Sequence, residues 1–234
     1  MKEHGVLFSG EMVRAIQAGR KTQTRRPVDK RWQRFAYAEP LPAELAWIDG
    51  AEEVNTMAFP GQQPGDYLFH NGIPVRGGEW QPVSPPWRVG DRLWVRETWT
   101  AVWPGLDKVP LKECKIEYRA DLPAGCTDYP GQWPAELARG NPDAPKWRPS
   151  IHMPRWASRL NLEVTGLWVE RVQKISGMDA KREGMAIPAH MPQDGADLDW
   201  ARQEFRRVWD GLYAKRGLGW VENPWVWVTE FQKI

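Results

Sequence analysis

Eight consecutive residues near the N-terminus, Gly19-Arg20-Lys21-Thr22-Gln23-Thr24-Arg25-Arg26, set four cations and two hydroxyls side by side with no carboxylate among them. That composition calls for an anion. A plainer reading is a solvated basic strand edge, where lysine blocks unwanted pairing. The distribution of charge adds weight to the first. Residues 1–34 carry nine Lys/Arg against Glu3, Glu11 and Asp29, a net of +6, whereas the whole chain is +2 and its other residues sum to −4. Concentrated positive charge is the footprint of a phosphate-facing surface. In an extended chain Thr22, Thr24 and Arg26 face one way and Lys21, Gln23 and Arg25 the other. A turn out of a preceding helix relaxes that alternation at Lys21, so Lys21 and Thr24 can converge.

The elements that position this stretch are legible on both sides. A short apolar run, Val6-Leu7-Phe8, reads as a strand. It leads into a helix over Glu11–Ala18, with Ser9 as N-cap, Met12, Ala15 and Ile16 on one face and Gly19 as the stop. From Pro27 to Pro86 periodicity dissolves among nine prolines and six glycines, with a helical turn at Ala43–Trp47. Order returns at Trp87–Trp99, where Gly90-Asp91 signals a turn and Leu93–Arg96 alternates as a strand. A second irregular stretch, 103–149, holds eight more prolines and one strand over Cys114–Arg119. Arg159–Thr165 alternates cleanly, and Leu167–Val172 follows Gly166 as a paired strand. Ser176 caps a short helix that ends at Gly184. Leu198, Ala201, Phe205, Trp209 and Leu212 mark an amphipathic helix capped by Asp197 and stopped by Gly217. Trp225–Phe231 is a strand apolar on both faces, hence central. The expectation is a single α+β domain over 1–234: a small, mostly antiparallel β-barrel with flanking helices and two long irregular insertions, at about 27–86 and 103–149.

Composition bounds the function classes. A chain of 234 residues with 41% hydrophobic and 26% charged content is that of a soluble globular protein. No apolar run approaches the ~20 residues needed to span a bilayer. The N-terminus lacks the apolar stretch of a secretory signal, so a cytoplasmic protein is expected. Cys114 and Cys126 need no disulfide in a chain of this size. His4, His70, His152 and His190 are scattered without ligand spacing, and neither a metal site nor a cofactor is expected. Sixteen tryptophans suit a small core under irregular loops, and a few can stack on bases.

Gly19-Arg20-Lys21-Thr22-x-Thr24-x-Arg26 resembles the signature of ASCH domains in the PUA-like superfamily, and Val89-Gly90-Asp91-Arg92-Leu93 is similar to the turn those domains carry before a barrel strand. The fuller pattern resembles the ASCH-domain proteins of phages and prophages. It includes Leu7-Phe8-Ser9-Gly10, Leu93-Trp94-Val95-Arg96-Glu97-Thr98-Trp99, Pro149-Ser150-Ile151-His152-Met153-Pro154 and Asn223-Pro224-Trp225-Val226-Trp227. The resemblance implies a PUA-like β-barrel whose cleft faces RNA or a nucleobase. Small members of the family are amidohydrolases that remove the acetyl group from N-acetylcytidine, and others have been assigned ribonuclease activity. It further implies a catalytic trio at Lys21, Thr24 and Glu183, the last carried by Ala180-Lys181-Arg182-Glu183-Gly184-Met185.

Amide hydrolysis needs a nucleophile, a base and a proton donor for the leaving group. In one scheme Thr24, or a water it positions, attacks while Lys21 is the base, which requires a lysine pKa well below ~10.4. Arg20, Arg25 and Arg26 push that way and Glu183 the other. In the alternative, Glu183 activates water and cationic Lys21 stabilises the oxyanion. His152 and Glu97 are secondary candidates, His152 reading as a core histidine. A second function class is a binding module without chemistry, for RNA or modified-base DNA. Arg20, Arg25 and Arg26 would contact phosphates and Trp94, Trp99 or Trp156 would stack on bases. A third is a phage assembly or host-interaction protein docking another protein through the Trp/Pro-rich insertions.

Overall fold

A computed structural model describes residues 1–40, 66–70, 81–102, 110, 113–122, 146–192 and 195–234. In chain order these form β1 (Glu3–Leu7), α1 (Gly10–Gln17), β2 (Gln23–Pro27), β3 (Tyr37–Pro40), β4 (Tyr67–His70), β5 (Gln81–Val83), β6 (Arg92–Arg96), β7 (Trp99–Val102), β8 (Lys115–Tyr118), β9 (Asn161–Arg171), α2 (Gly177–Arg182), α3 (Ala196–Tyr213) and β10 (Trp225–Lys233), joined in places by short 3-10 turns. The class is α+β, with mostly antiparallel sheets and few helices. No closed barrel is seen among the described residues. The chain divides into two compact units. One comprises Met1–Lys21, Asp91–Glu163 and Gln232–Ile234, the other Thr22–Gly90 and Val164–Phe231.

In the first unit β6 lies between β1, its parallel partner, and the start of β9, its antiparallel one. Asp91 clamps this arrangement. Its carboxylate accepts from the Lys2 backbone N–H at 2.6 Å and faces His4 Nε2 at 3.2 Å. Helix α1 starts where Ser9 accepts the Met12 N–H, and it buries Val13, Ala15 and Ile16. Gly19 follows with φ +70°, the left-handed conformation that ends a helix cheaply. β7 and β8 form an antiparallel pair over a small core of Trp99, Met153 and Ala157.

In the second unit β10 runs between β9 and β2, so the expectation of a central last strand holds. The octapeptide continues into β2, which pairs with β10 in the register Gln23↔Glu230, Thr24↔Thr229 and Arg25↔Val228. Helices α2 and α3 pack on each other at Gly177, where a Cβ would stand 2.5 Å from the Leu198 carbonyl oxygen.

Three expectations change. The stretch 27–86 is not wholly irregular, since β3, β4 and β5 make a three-stranded antiparallel sheet. Val28, Phe35, Tyr67, Phe69 and Val83 join Trp225 and Trp227 in one core cluster. Pro40 and Pro82 lie on the outer strands, where a missing N–H costs least, and they mask the period-2 pattern that marks a strand. Second, β9 runs unbroken through Gly166 instead of turning there. A Cβ at Gly166 would come within 2.9 Å of Glu230 Oε2, so this glycine serves a close approach. Third, α3 is capped by Gly195 at φ +105°, with Asp197 inside its first turn and paired to Lys181 at 3.1 Å. The helical turn expected at Ala43–Trp47, and Cys126, lie outside the described residues.

Candidate functional site

The side chains with the most chemical potential in the second unit gather on one face of β2. Alternation places Gln23 and Arg25 on that face. Arg25 Nη1 donates to Gln23 Oε1 at 2.6 Å and to Glu183 Oε1 at 3.2 Å. Its Nε and Nη2 donate to Glu170 Oε1 at 3.0 and 2.8 Å, and Asp179 Oδ2 lies 3.9 Å from Nη2. The Arg25 side chain is 1% exposed and that of Glu183 6%.

Each partner is delivered by an element whose position the sequence explains. Glu183 is the C-cap residue of α2, a helix started by a full capping box between Ser176 and Asp179. The Thr22 N–H donates to the Arg182 carbonyl at 2.8 Å, tying the octapeptide to the end of α2. Glu170 comes from β9, where it also accepts the Trp168 indole N–H at 3.3 Å. Gln23 passes the network on to β10 by donating to Glu230 Oε1 at 3.2 Å. One guanidinium thus meets three carboxylates in a largely dry setting, where charge persists only if paired and hydrogen-bonded. Arg182, at 3.4 Å from Asp179, adds a second cation at the rim.

Of the residues expected to do chemistry, Glu183 therefore stands beside the octapeptide, through Arg25. Thr24 is buried, at 3% exposure, but strand alternation turns it to the other face of β2, opposite Thr229, whose hydroxyl accepts the Trp87 indole N–H at 3.0 Å. No hydrogen bond joins Thr24 to Glu183 among the described residues. Lys21, described within the first unit, is also 3% exposed. Its N–H donates to the Ala15 carbonyl and its Nζ lies 5.4 Å from the Phe8 ring centroid, a cation–π contact.

The residues expected to hold nucleic acid stand in different environments. Arg20 is exposed and Arg26 half-buried. Arg25 faces carboxylates of its own chain. Trp94 is half-buried, with the Arg96 and Arg155 guanidinium carbons 5.4 and 5.9 Å from its ring centroid. Trp99 is 1% exposed and packs on Met153 and Ala157, so its ring offers no face to a base here. Trp156, at 41% exposure, stands edge-on to it. His152 is exposed and not a core histidine. Glu97 is 1% exposed and held by a two-armed Arg159 fork, both bonds at 3.0 Å. Burial raises its pKa above the ordinary range although Arg159 opposes the shift.

Sequence reading missed Gln23, Glu170, Asp179 and Glu230. The available signal was a lone carboxylate in each of two apolar strands, Leu-Trp-Val-Glu and Val-Trp-Val-Thr-Glu-Phe, since an acid there requires a partner. Among the described residues no group of three or more His, Cys, Asp or Glu is placed to hold a metal ion. No helix among them is long and apolar enough to cross a membrane. Comparison with family models, with curated proteins and with solved structures gives no match.

Proposed function

We propose that this chain is an ASCH-type, PUA-like protein of the phage and prophage kind. Its nucleobase-directed site hydrolyses the acyl amide of a modified cytidine of the N-acetylcytidine type, in the host cytoplasm. The observation that carries the reading is the hydrogen bond between Arg25 and Glu183. It brings a carboxylate from 158 residues away against the strand of the basic signature.

The orientation of Thr24 favours water as the nucleophile over the threonine hydroxyl. Glu183 takes a proton from water, whose oxygen attacks the acyl carbonyl, and the oxyanion that forms needs a cationic or N–H donor, the part that the resemblance gives to Lys21. The C–N bond then breaks, the amine leaves with a proton and acetate is released. Arg25 is a positioning residue: its fork, fixed by Glu170 and Gln23, holds Glu183 in one orientation. The test is acetate release from N-acetylcytidine by the purified chain. Lys21→Ala and Glu183→Gln are each expected to lose ~100-fold or more in kcat/KM, the scale of one general base or one oxyanion donor. Full activity in Glu183→Gln removes the water scheme.

The same position of Thr24 supports a second reading, a module that binds RNA or modified-base DNA without chemistry. It predicts affinity falling steeply with salt and no acetate.

A further inference from the structure

We infer that the outer edge of β1 is a docking site for an extended acidic segment of a partner protein, which adds a strand there and sets a carboxylate beside Arg96.

β1 ends the five-stranded sheet, with β6 as its one neighbour among the described residues. The Arg92 N–H donates to the Lys2 carbonyl at 2.8 Å and the Phe8 N–H to the Arg96 carbonyl at 3.2 Å, so the even-numbered residues bond inward. In a parallel ladder the backbone groups of the residues between them then point away from β6. For Glu3 and Gly5, both exposed, no backbone partner stands on that side among the described residues. Proteins guard such edges with proline, lysine or charge. The other outer strands of the five- and three-stranded sheets each carry a proline, Pro27 in β2, Pro40 in β3 and Pro82 in β5. β1 holds neither proline nor lysine, and its one carboxylate, Glu3, is neutralised by Arg155 through bonds of 2.9 and 3.2 Å. The edge is open.

The face beside this edge selects the occupant. Register and alternation set Glu3, Gly5 and Leu7 next to Arg92, Trp94 and Arg96. A Cβ at Gly5 would stand 2.8 Å from Trp94 Cζ2 and 3.0 Å from Arg96 Cδ, so both side chains lie over the bare glycine. Arg96 is held by donating from Nη2 to the Ile151 carbonyl. Its Nε is buried without an acceptor, and no carboxylate pairs with it among the described residues. The acids of this face are engaged, Glu3 by Arg155 and Glu163 by Gln232 at 2.9 Å. A fixed guanidinium without a counter-charge calls for an acid from outside. An added strand presents every second side chain to this face, one opposite Leu7 beside Arg96 and the next opposite Gly5 beside Trp94. The occupant therefore carries Asp or Glu two residues from an apolar side chain. A second copy paired about Gly5 would offer its own Glu3 opposite Leu7, but that carboxylate is already bound to Arg155.

The test is fluorescence anisotropy of the full chain with the labelled peptide Thr-Val-Thr-Glu-Thr-Val and with versions carrying Gln or Lys in place of Glu. The Glu peptide is expected to bind about tenfold tighter than the Gln peptide, the value of one charge-assisted hydrogen bond, and the Lys peptide most weakly. Methylating alternate backbone amides of the peptide is expected to abolish binding in one set and spare it in the other, as strand pairing requires. Arg96→Gln is expected to equalise the Glu and Gln peptides while binding the Gln peptide as wild type does, which also shows that the variant folds. No binding, equal affinities of the Glu and Gln peptides for wild type, or indifference to amide methylation overturns the inference. So does displacement of the peptide by an oligothymidylate at lower concentration, which gives the face to nucleic acid. A dimer in light scattering that shuts the peptide out gives the edge to a second copy and overturns it as well.

Discussion

Arg25 is answered by carboxylates on β9, in α2 and at the end of α2. Truncating it leaves Glu170, Asp179 and Glu183 near one another with their shared cation gone. Breaking a buried pair from one side costs about 3–5 kcal/mol. Arg25→Ala is therefore expected to lower the urea midpoint sharply, and Arg25→Lys, which keeps charge but not the fork, to recover only part of it. Equal stability of Arg25→Ala and wild type would show that the cluster is relaxed by solvent. Glu97 makes a different statement. Its pKa is raised in the folded protein, chiefly by burial, so the folded state holds the proton more tightly than the unfolded chain. Its favourable contribution is present below the ordinary carboxylate value and is lost as pH rises through the raised one. Melting curves across that window are expected to show a falling component in wild type that Glu97→Gln lacks. At this scale the octapeptide was legible as a site in need of anions, whereas of the anions answering Arg25 only Glu183 was named, through the resemblance and not through its own local pattern. Glu170 and Glu183 lie 145 and 158 residues away, and no local pattern announces such a pairing.

Elements were more legible than partners. Ser9, Gly19, Ser176 and Gly184 mark helix ends through cap chemistry that needs no tertiary context. Reading failed where tertiary contact overrode a local cue. Gly166 reads as a turn, yet it stays in a strand because Glu230 and Trp168 crowd the space a side chain would take. Gly177 carries the firmest prediction at this level. A Cβ there would meet backbone atoms of Leu198, the carbonyl oxygen at 2.5 Å and its carbon at 2.8 Å, and backbone cannot rotate aside as a side chain can. Gly177→Ala, an exchange that ordinarily favours a helix, is expected to destabilise by about 1–3 kcal/mol because α2 must move off α3. A gain in melting temperature would mean that α2 has slack at this contact.

For the whole molecule, the α+β class and the mostly antiparallel pairing followed from counting alternating segments. The three-stranded sheet of β3, β4 and β5 escaped because prolines sit on its outer strands. The charge asymmetry has a structural sequel: within the second unit part of the acidic remainder of the chain neutralises Arg25 from the basic segment. β10 carries a last consequence. Between β9 and β2 it keeps Val226, Val228 and Thr229 at 0% exposure, with Trp225, Trp227 and Phe231 nearly as covered. Solvent reaches such amides only when the molecule as a whole opens. Deuterium uptake by Val226–Thr229 is therefore expected to be the slowest among the described strands. Its rate, converted to a free energy, should equal the global unfolding value from denaturant titration, which makes this strand an internal gauge for every variant named above.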